Sequence, residues 1–337
     1  MFHRTSWFAL VLGVLLPGCH PTAAETKSEG EAHADDARDA LVGRRAPAVV
    51  LEGIDGERVA LADLIGHQPI YLKFWATWCE PCQEQMPHLE AAYRKYRDRI
   101  AVYAIDLGLN DPIEAVRAFR TEHQLTVPIA IDRDGSLAER LHVEVTPQHI
   151  LIDRGGVIRY VGHGATPDLD AALEALVADG AAPGRAPPLA GSAADSALSL
   201  TLLGGERFTL AEQAGRPVAL TFVSASFDRY LAESRPAMSE ACIAHAHQVE
   251  SLRRTHGDVV WVSIVHPVWT TAASAGRYRT RLGQGSPIGI DQGGRWFHRF
   301  RVRDVPTTIL LDERGVEIER VTGRGDDLPD ALSRHRY

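Results

Sequence analysis

Two cysteines separated by two residues, in the run Trp78-Cys79-Glu80-Pro81-Cys82, carry the clearest chemistry in this 337-residue chain. Such a pair can exchange electrons as dithiol and disulfide, or supply half of a zinc site. Zinc would need two further ligands at matching spacing, and no second CxxC or HxxxH occurs. The pair follows an apolar run, Ile70–Trp75, and opens a stretch from Cys82 to Tyr96 with helical spacing of Met86, Leu89, Tyr93 and Tyr96. At a helix start, free backbone N–H groups and the helix dipole favour an anion, so the first thiol should ionise below the ~8.5 of a free cysteine. Cys79 is then the attacking thiolate, and Cys82, one turn inward, resolves the mixed disulfide. Pro81 suits a first turn, where no N–H bond is lost. Glu80 sets a negative charge beside the thiolate, which raises its pKa and favours a reductant over an oxidant. This exchange calls for no cofactor and no metal.

The elements that must hold this pair alternate. Ile70–Trp75 reads as a buried strand, Ala101–Ile105 as another, and Pro112–Glu122 as a helix. Ile150–Asp153 and Val157–Val161 flank Arg154-Gly155-Gly156 as a hairpin, and Leu169–Val177 reads as a closing helix. Strand–helix–strand units followed by an antiparallel hairpin imply an α/β sandwich with a mixed sheet.

The plan occurs twice. Gly56-Glu57-Arg58 with Leu61-Ala62 recurs as Gly205-Glu206-Arg207 with Leu210-Ala211. Pro128–Gly164 matches Pro287–Gly323 without a gap, including Asp132 with Asp291, Pro147 with Pro306, Asp153 with Asp312 and Gly156 with Gly315. Residues 41–178 and 196–337 are therefore read as two copies of one domain. Between them, 179–195 has the Ala, Gly, Pro and Ser content of a linker.

Residues 1–18 read as an export signal, with Arg4 ahead of an apolar stretch from Trp7 to Leu16 that is too short to span a bilayer. The segment ends Leu16-Pro17-Gly18-Cys19, which resembles a bacterial lipobox and makes Cys19 the expected lipid anchor. Residues 19–40 are polar and acidic, the composition of a disordered tether. The expected location is periplasmic or otherwise extracytoplasmic, held to a bacterial membrane by the lipid alone. A net charge of −8 with arginines interspersed among acids argues against nucleic acid. Hydrophobic residues at 45% and charged residues at 24% are globular proportions, and four cysteines are too few for a disulfide-stapled scaffold.

The run Phe74-Trp75-Ala76-Thr77-Trp78-Cys79-Glu80-Pro81-Cys82, followed by Met86-Pro87 and preceded by Gly56–Leu64, resembles the TlpA/ResA/CcmG branch of extracytoplasmic thioredoxin-like proteins. The resemblance implies two tandem thioredoxin-like α/β sandwich domains, the first extended by an N-terminal hairpin. It implies disulfide reduction on exported proteins such as apocytochromes or copper-site proteins, with an upstream membrane dithiol donor. By the same match Thr146-Pro147 is a cis-proline dipeptide, and with Trp78 it would bind substrate. Two positions depart from the pattern. Gln85, with Glu84 beside it, stands where the family often has a glutamate, and Lys73 stands where thioredoxins carry a buried aspartate.

In the second copy the matching run is Phe222-Val223-Ser224-Ala225-Ser226-Phe227-Asp228-Arg229-Tyr230, without cysteine. Val305-Pro306-Thr307 keeps the proline signature. Cys242 falls in a helical stripe with Met238, His245, Val249 and Leu252 and reads as core. The alternative function is a copper or haem chaperone in which this copy binds the ligand through Cys242 with His245, His247 or His266. On that alternative, copy one only keeps the ligand site reduced.

Overall fold

The computed structural model describes residues 38–178 and 198–335. The export signal, Cys19, residues 20–37 and the expected linker 179–195 lie outside the described residues. Residues 38–40, assigned by composition to the tether, instead belong to a helical turn over 38–41. Leu41 at its end is fully buried, and Arg38 donates to the Val161 carbonyl, so this turn is pinned to the body.

Copy one begins with a small antiparallel hairpin, β1 (Val50–Glu52) and β2 (Arg58–Ala60). Its main sheet holds β3 (Ile70–Trp75), β4 (Ala101–Asp106), β5 (Ile129–Ile131), β6 (Gln148–Ile152) and β7 (Ile158–Gly162), in the order β5-β4-β3-β6-β7. The β3–β4 and β4–β5 pairs are parallel, and β3–β6 and β6–β7 are antiparallel. The central strand is buried along its whole length, as its largely apolar run favours, and the burial includes Lys73, the one charge that interrupts it. Helices Met86–Tyr96, Ile113–Glu122 and Pro167–Ala178 supply the outer layers.

Copy two repeats the design. The hairpin is β8 (Ser199–Thr201) and β9 (Arg207–Thr209). The sheet is β12-β11-β10-β13-β14, built from β10 (Val218–Val223), β11 (Val260–Val265), β12 (Ile288–Ile290), β13 (Thr307–Leu311) and β14 (Glu317–Thr322). The register shifts at Leu151/Ile152 in copy one and at the matching Leu310/Leu311 in copy two. At both hairpin turns a glycine, Gly156 or Gly315, has positive φ, and the preceding Asp153 or Asp312 caps the turn by accepting from Val157 or Val316. The duplication read from the chain is thus a duplication of fold: two tandem α/β domains with mixed sheets.

One expectation needs correction. The helix expected to run from Cys82 to Tyr96 is broken at Gln85, giving Glu80–Glu84 and Met86–Tyr96. Pro87 has no N–H to donate to the Gln83 carbonyl, so the first segment ends.

The copies pack against each other, and one apolar cluster runs through both, taking in Trp78, Leu107 and Leu109 with Phe227, Val268 and Val305. The contact is reciprocal. Asn110, with φ of 51°, donates its backbone N–H to the Arg303 carbonyl, and its side chain exchanges two bonds with Val305. Trp269, with φ of 56°, donates its backbone N–H to the Glu144 carbonyl and its indole N–H to the Thr146 carbonyl at 3.0 Å. Each residue of one set is the repeat counterpart of its equivalent in the other. Each copy therefore presses the loop after its second long strand onto the other's X-Pro loop.

Candidate active site

Cys79 and Cys82 are joined as a disulfide, with Cα atoms 5.2 Å apart. Cys79 caps the helix Glu80–Glu84, and its carbonyl accepts from Cys82 and Gln83. Pro81 lies in the first turn, as its missing N–H demands. The loop entering this turn rests on the one following β4. Thr77 donates its backbone N–H to Asp111 at 2.6 Å and its hydroxyl to the same carboxylate. The Trp78 indole donates to the Leu109 carbonyl at 2.7 Å, and Gln83 donates to the Thr77 carbonyl.

Asp111 has a buried acidic neighbour, Asp106. Burial, then the charge of Asp111, pushes Asp106 well above the ordinary carboxylate range. Burial also raises Asp111, opposed by its bonds from Thr77 and by Arg235. Burial and the repulsion between the two carboxylates thus both favour the neutral form of Asp106.

Beneath Cys82 lies a second polar group. The Lys73 Nζ donates to the Cys82 carbonyl at 3.3 Å and stands 4.0 Å from the Met86 sulfur. Burial without an acidic partner lowers its pKa to about 7. Opposite it on β6, His149 is fully buried, and burial, then the charge of Lys73, holds it well below the usual imidazole range. Gln85 donates to the His163 carbonyl and accepts from His149 Nε2, which leaves His149 Nδ1 to accept from the Tyr71 hydroxyl at 2.8 Å. Gln85, at the position where a glutamate is often expected, thus fixes a neutral histidine. Glu80 and Glu84 are exposed.

Thr146-Pro147 is cis, as the resemblance implies, and so is Val305-Pro306. Trp78 and Thr146 meet around Trp269, whose ring centre lies 5.6 Å from that of Trp78 while its indole binds the Thr146 carbonyl. Sequence reasoning missed every residue that copy two contributes here: Phe227, Tyr230, Arg235 and Trp269. The repeat alignment sets Phe227 and Tyr230 at the positions of Cys79 and Cys82, and that was the available signal.

Of the candidate ligands of copy two, His245 and His266 are engaged in hydrogen bonds. Cys242 is buried, and burial pushes its thiol up to about 12. His245 donates from Nδ1 to the Gly323 carbonyl and accepts at Nε2 from the Thr308 hydroxyl, which uses both nitrogens. His266 accepts at Nδ1 from the Val268 N–H, and His247 is exposed. Among the described residues, no three His, Cys, Asp or Glu side chains converge as a metal-binding group. Among them, too, no helix is long and apolar enough to cross a membrane.

Residues 42–161, all within copy one, match the AhpC/TSA family. The thioredoxin-like protein YneN of Bacillus subtilis (strain 168) is 38% identical over 118 residues, covering 35% of this chain and 68% of YneN. A thiol-disulfide oxidoreductase ResA of Bacillus cereus is 31% identical over 137 residues, 40% of this chain and 78% of ResA. The match to ResA of Bacillus thuringiensis subsp. konkukian, 33% identical, spans 66% of that protein. Among solved structures, a thiol-disulfide isomerase from Corynebacterium glutamicum is 26% identical with a TM-score of 0.36, covering 40% of this chain and 97% of that one. The disulfide at a helix start, the mixed sheet and the likeness to these oxidoreductases agree: the chain belongs to the thioredoxin-like family of thiol–disulfide oxidoreductases that includes ResA and YneN.

Proposed function

We propose that the chain is an extracytoplasmic, membrane-tethered protein-disulfide reductase whose working group is the Cys79–Cys82 pair. The observation that carries this reading is the bonded pair at a helix start, with the buried Lys73 amine donating to the carbonyl of the second cysteine. In the reduced enzyme the Cys79 thiolate attacks a substrate disulfide, forming a mixed disulfide and expelling one substrate thiolate. The Cys82 thiol passes its proton to the Lys73 amine, and its thiolate attacks the Cys79 sulfur. That step releases the second substrate thiolate and closes Cys79–Cys82. The substrate gains two electrons and the enzyme loses two, and an upstream membrane dithiol restores the pair. Trp78 and the Thr146–Pro147 edge receive the substrate segment. Glu80 biases the pair towards reduction, with Pro81 and Glu84 completing the helix start.

Residues 1–18 and Cys19 support export and lipid anchoring, so the substrates are exported proteins carrying disulfides. The Cys79→Ala variant should lose insulin-disulfide reduction, and Cys82→Ala should accumulate mixed disulfides with substrate. Near-normal turnover in Cys79→Ala would sink the reading. A midpoint potential above about −150 mV for the pair would make the enzyme an oxidant instead. The chaperone alternative requires stoichiometric Cu(I) uptake that disappears when Cys242 and the histidines of copy two are replaced.

A further inference from the structure

Aromatic side chains fill the thiol positions in copy two, and those side chains lie on the thiol pair of copy one. Counted from the ends of β3 and β10, Phe227 stands at the place of Cys79 and Tyr230 at the place of Cys82. Phe227 meets Trp78 edge to face at 4.8 Å. The Tyr230 hydroxyl accepts from the Glu80 backbone N–H at 2.9 Å, directly beside Cys79. Trp269 packs against both Trp78 and Tyr230, with ring centres 5.6 and 4.7 Å away. Arg235 donates to the Thr77 hydroxyl and the Asn110 carbonyl and pairs with Asp111 at 3.6 Å.

Under this cover Cys79 and Cys82 have no exposed surface, and Trp78 is 3% exposed. Thiol–disulfide exchange proceeds by direct attack of one sulfur on another, so a sulfur without accessible surface cannot be attacked. In this arrangement neither sulfur presents a surface to a protein thiol or disulfide. Nothing joins the copies as one sheet: their strands form separate sheets, and copy two has apolar clusters of its own. The contact between them consists of ring faces, aliphatic side chains such as Leu109 and Val305, the Arg235–Asp111 ion pair and hydrogen bonds to loop backbone and to the Thr77 hydroxyl; water replaces the polar partners when the copies part, while exposure of the apolar groups favours the closed arrangement.

We infer that copy two is a built-in lid on the redox centre of copy one, its former active-site position rebuilt as a plug of Phe227 and Tyr230. Trp269 is its latch. By holding the Thr146 carbonyl, Trp269 takes the backbone acceptor that a substrate strand would use. A substrate reaches Cys79 by displacing that latch, which favours polypeptide segments that offer a backbone N–H and a bulky apolar side chain in its stead. The inference rests on Cys79–Cys82 being the redox centre, and it deepens that reading by naming what controls entry.

The test uses the full oxidised chain and dithiothreitol as the attacking thiol, with reduction of Cys79–Cys82 followed by quench, alkylation and mass analysis. Wild type should be reduced at least about 100-fold more slowly in native buffer than in guanidinium. Trp269→Ala should recover at least about tenfold of that, corresponding to about 1.4 kcal/mol, because buried interfacial aromatics carry most of such contacts. Tyr230→Phe, which removes one hydroxyl and no ring, should speed reduction by a smaller factor and serves where Trp269→Ala fails to fold. Equal rates in native and unfolded wild type would overturn the lid, as would variants that leave the native rate unchanged. Insulin turnover supplies the second arm. It should rise with the dithiothreitol rate; a fall would mean that copy two completes the site. If no form of the chain reduces insulin while the dithiothreitol rates rise, the lid stands and the reductase reading falls.

Discussion

Copies one and two share sheet order, register shift, hairpin caps and X-Pro loops, and they differ most on the central strand, the turn after it and the loop after the next strand, where Asp106 and Asp111 stand against Val265 and Thr270. On β3, Lys73 lies opposite His149; on β10, Thr221 lies opposite Thr308. Copy one keeps a desolvated amine beneath its disulfide. Copy two fills the same depth with hydroxyls bonded to each other and to His245, neutral groups whose bonds are complete. A buried cation without an acid partner destabilises the fold that carries it. This penalty occurs only in the copy that keeps its thiols. Residues that hold the fold are common to both copies, while those that do chemistry, and those that tolerate its demands, occur in one.

The sharpest way to test this contrast is to remove the penalty. Lys73→Met should stabilise the chain by about 1–4 kcal/mol at neutral pH while slowing closure of the mixed disulfide. Thr221→Val should shift stability by about 1 kcal/mol or less. The pH dependence has a definite sign. Unfolded Lys73 keeps its proton up to about 10.4, whereas the folded group loses it near pH 7. Between these values the unfolded chain binds more protons, so wild-type stability gains from this group as pH rises through the window. Denaturant unfolding across that range should show the slope in wild type and not in Lys73→Met. If the two curves run parallel, Lys73 is not the desolvated group described here.

A smaller effect belongs to copy two. Glu250 accepts from Arg253, Arg254 and the Gly285 N–H, and these bonds, Arg253 first, hold it at about 2. Glu250→Gln should cost about 1–3 kcal/mol at pH 7. The depressed pKa makes that contribution present above about 4.3 and lost as pH falls towards 2, so wild type and variant should converge in acid. The smallest effect is expected at Cys242. Replacing it by alanine should leave insulin reduction unchanged and cost about 1 kcal/mol or less. Labelling of Cys242 by iodoacetamide in the native chain would break the contrast, because it would mean that copy two retains a reactive thiol.

Much of the site was legible because it is local. The CxxC spacing, the apolar run before it and the helical stripe after it all lie within one short stretch of chain, and the repeat showed itself by residue identity. Lys73 was visible as a charge inside an apolar run, but its depth came only from β4 and β6 closing on both sides. The break at Gln85 was signalled by Pro87, which periodicity overrode. Of the lid, only the exchange of Cys79 and Cys82 for Phe227 and Tyr230 in the repeat was legible. Tyr230 and Glu80, or Trp269 and Thr146, are far apart in the chain and share no pattern of period or charge. Their meeting follows from how two finished domains dock, which no local pattern encodes.

The reciprocal seating of Asn110 on Val305 and of Trp269 on Thr146 has the form of a two-fold subunit interface carried inside one polypeptide. In a dimer of identical subunits, any change on one side of such an interface appears on the other as well. Exchanging cysteines for rings would then remove both redox centres at once. Joined in one chain, the halves are free to diverge. One can keep its thiols while the other becomes the surface that shields them, an asymmetry of roles that identical subunits cannot evolve.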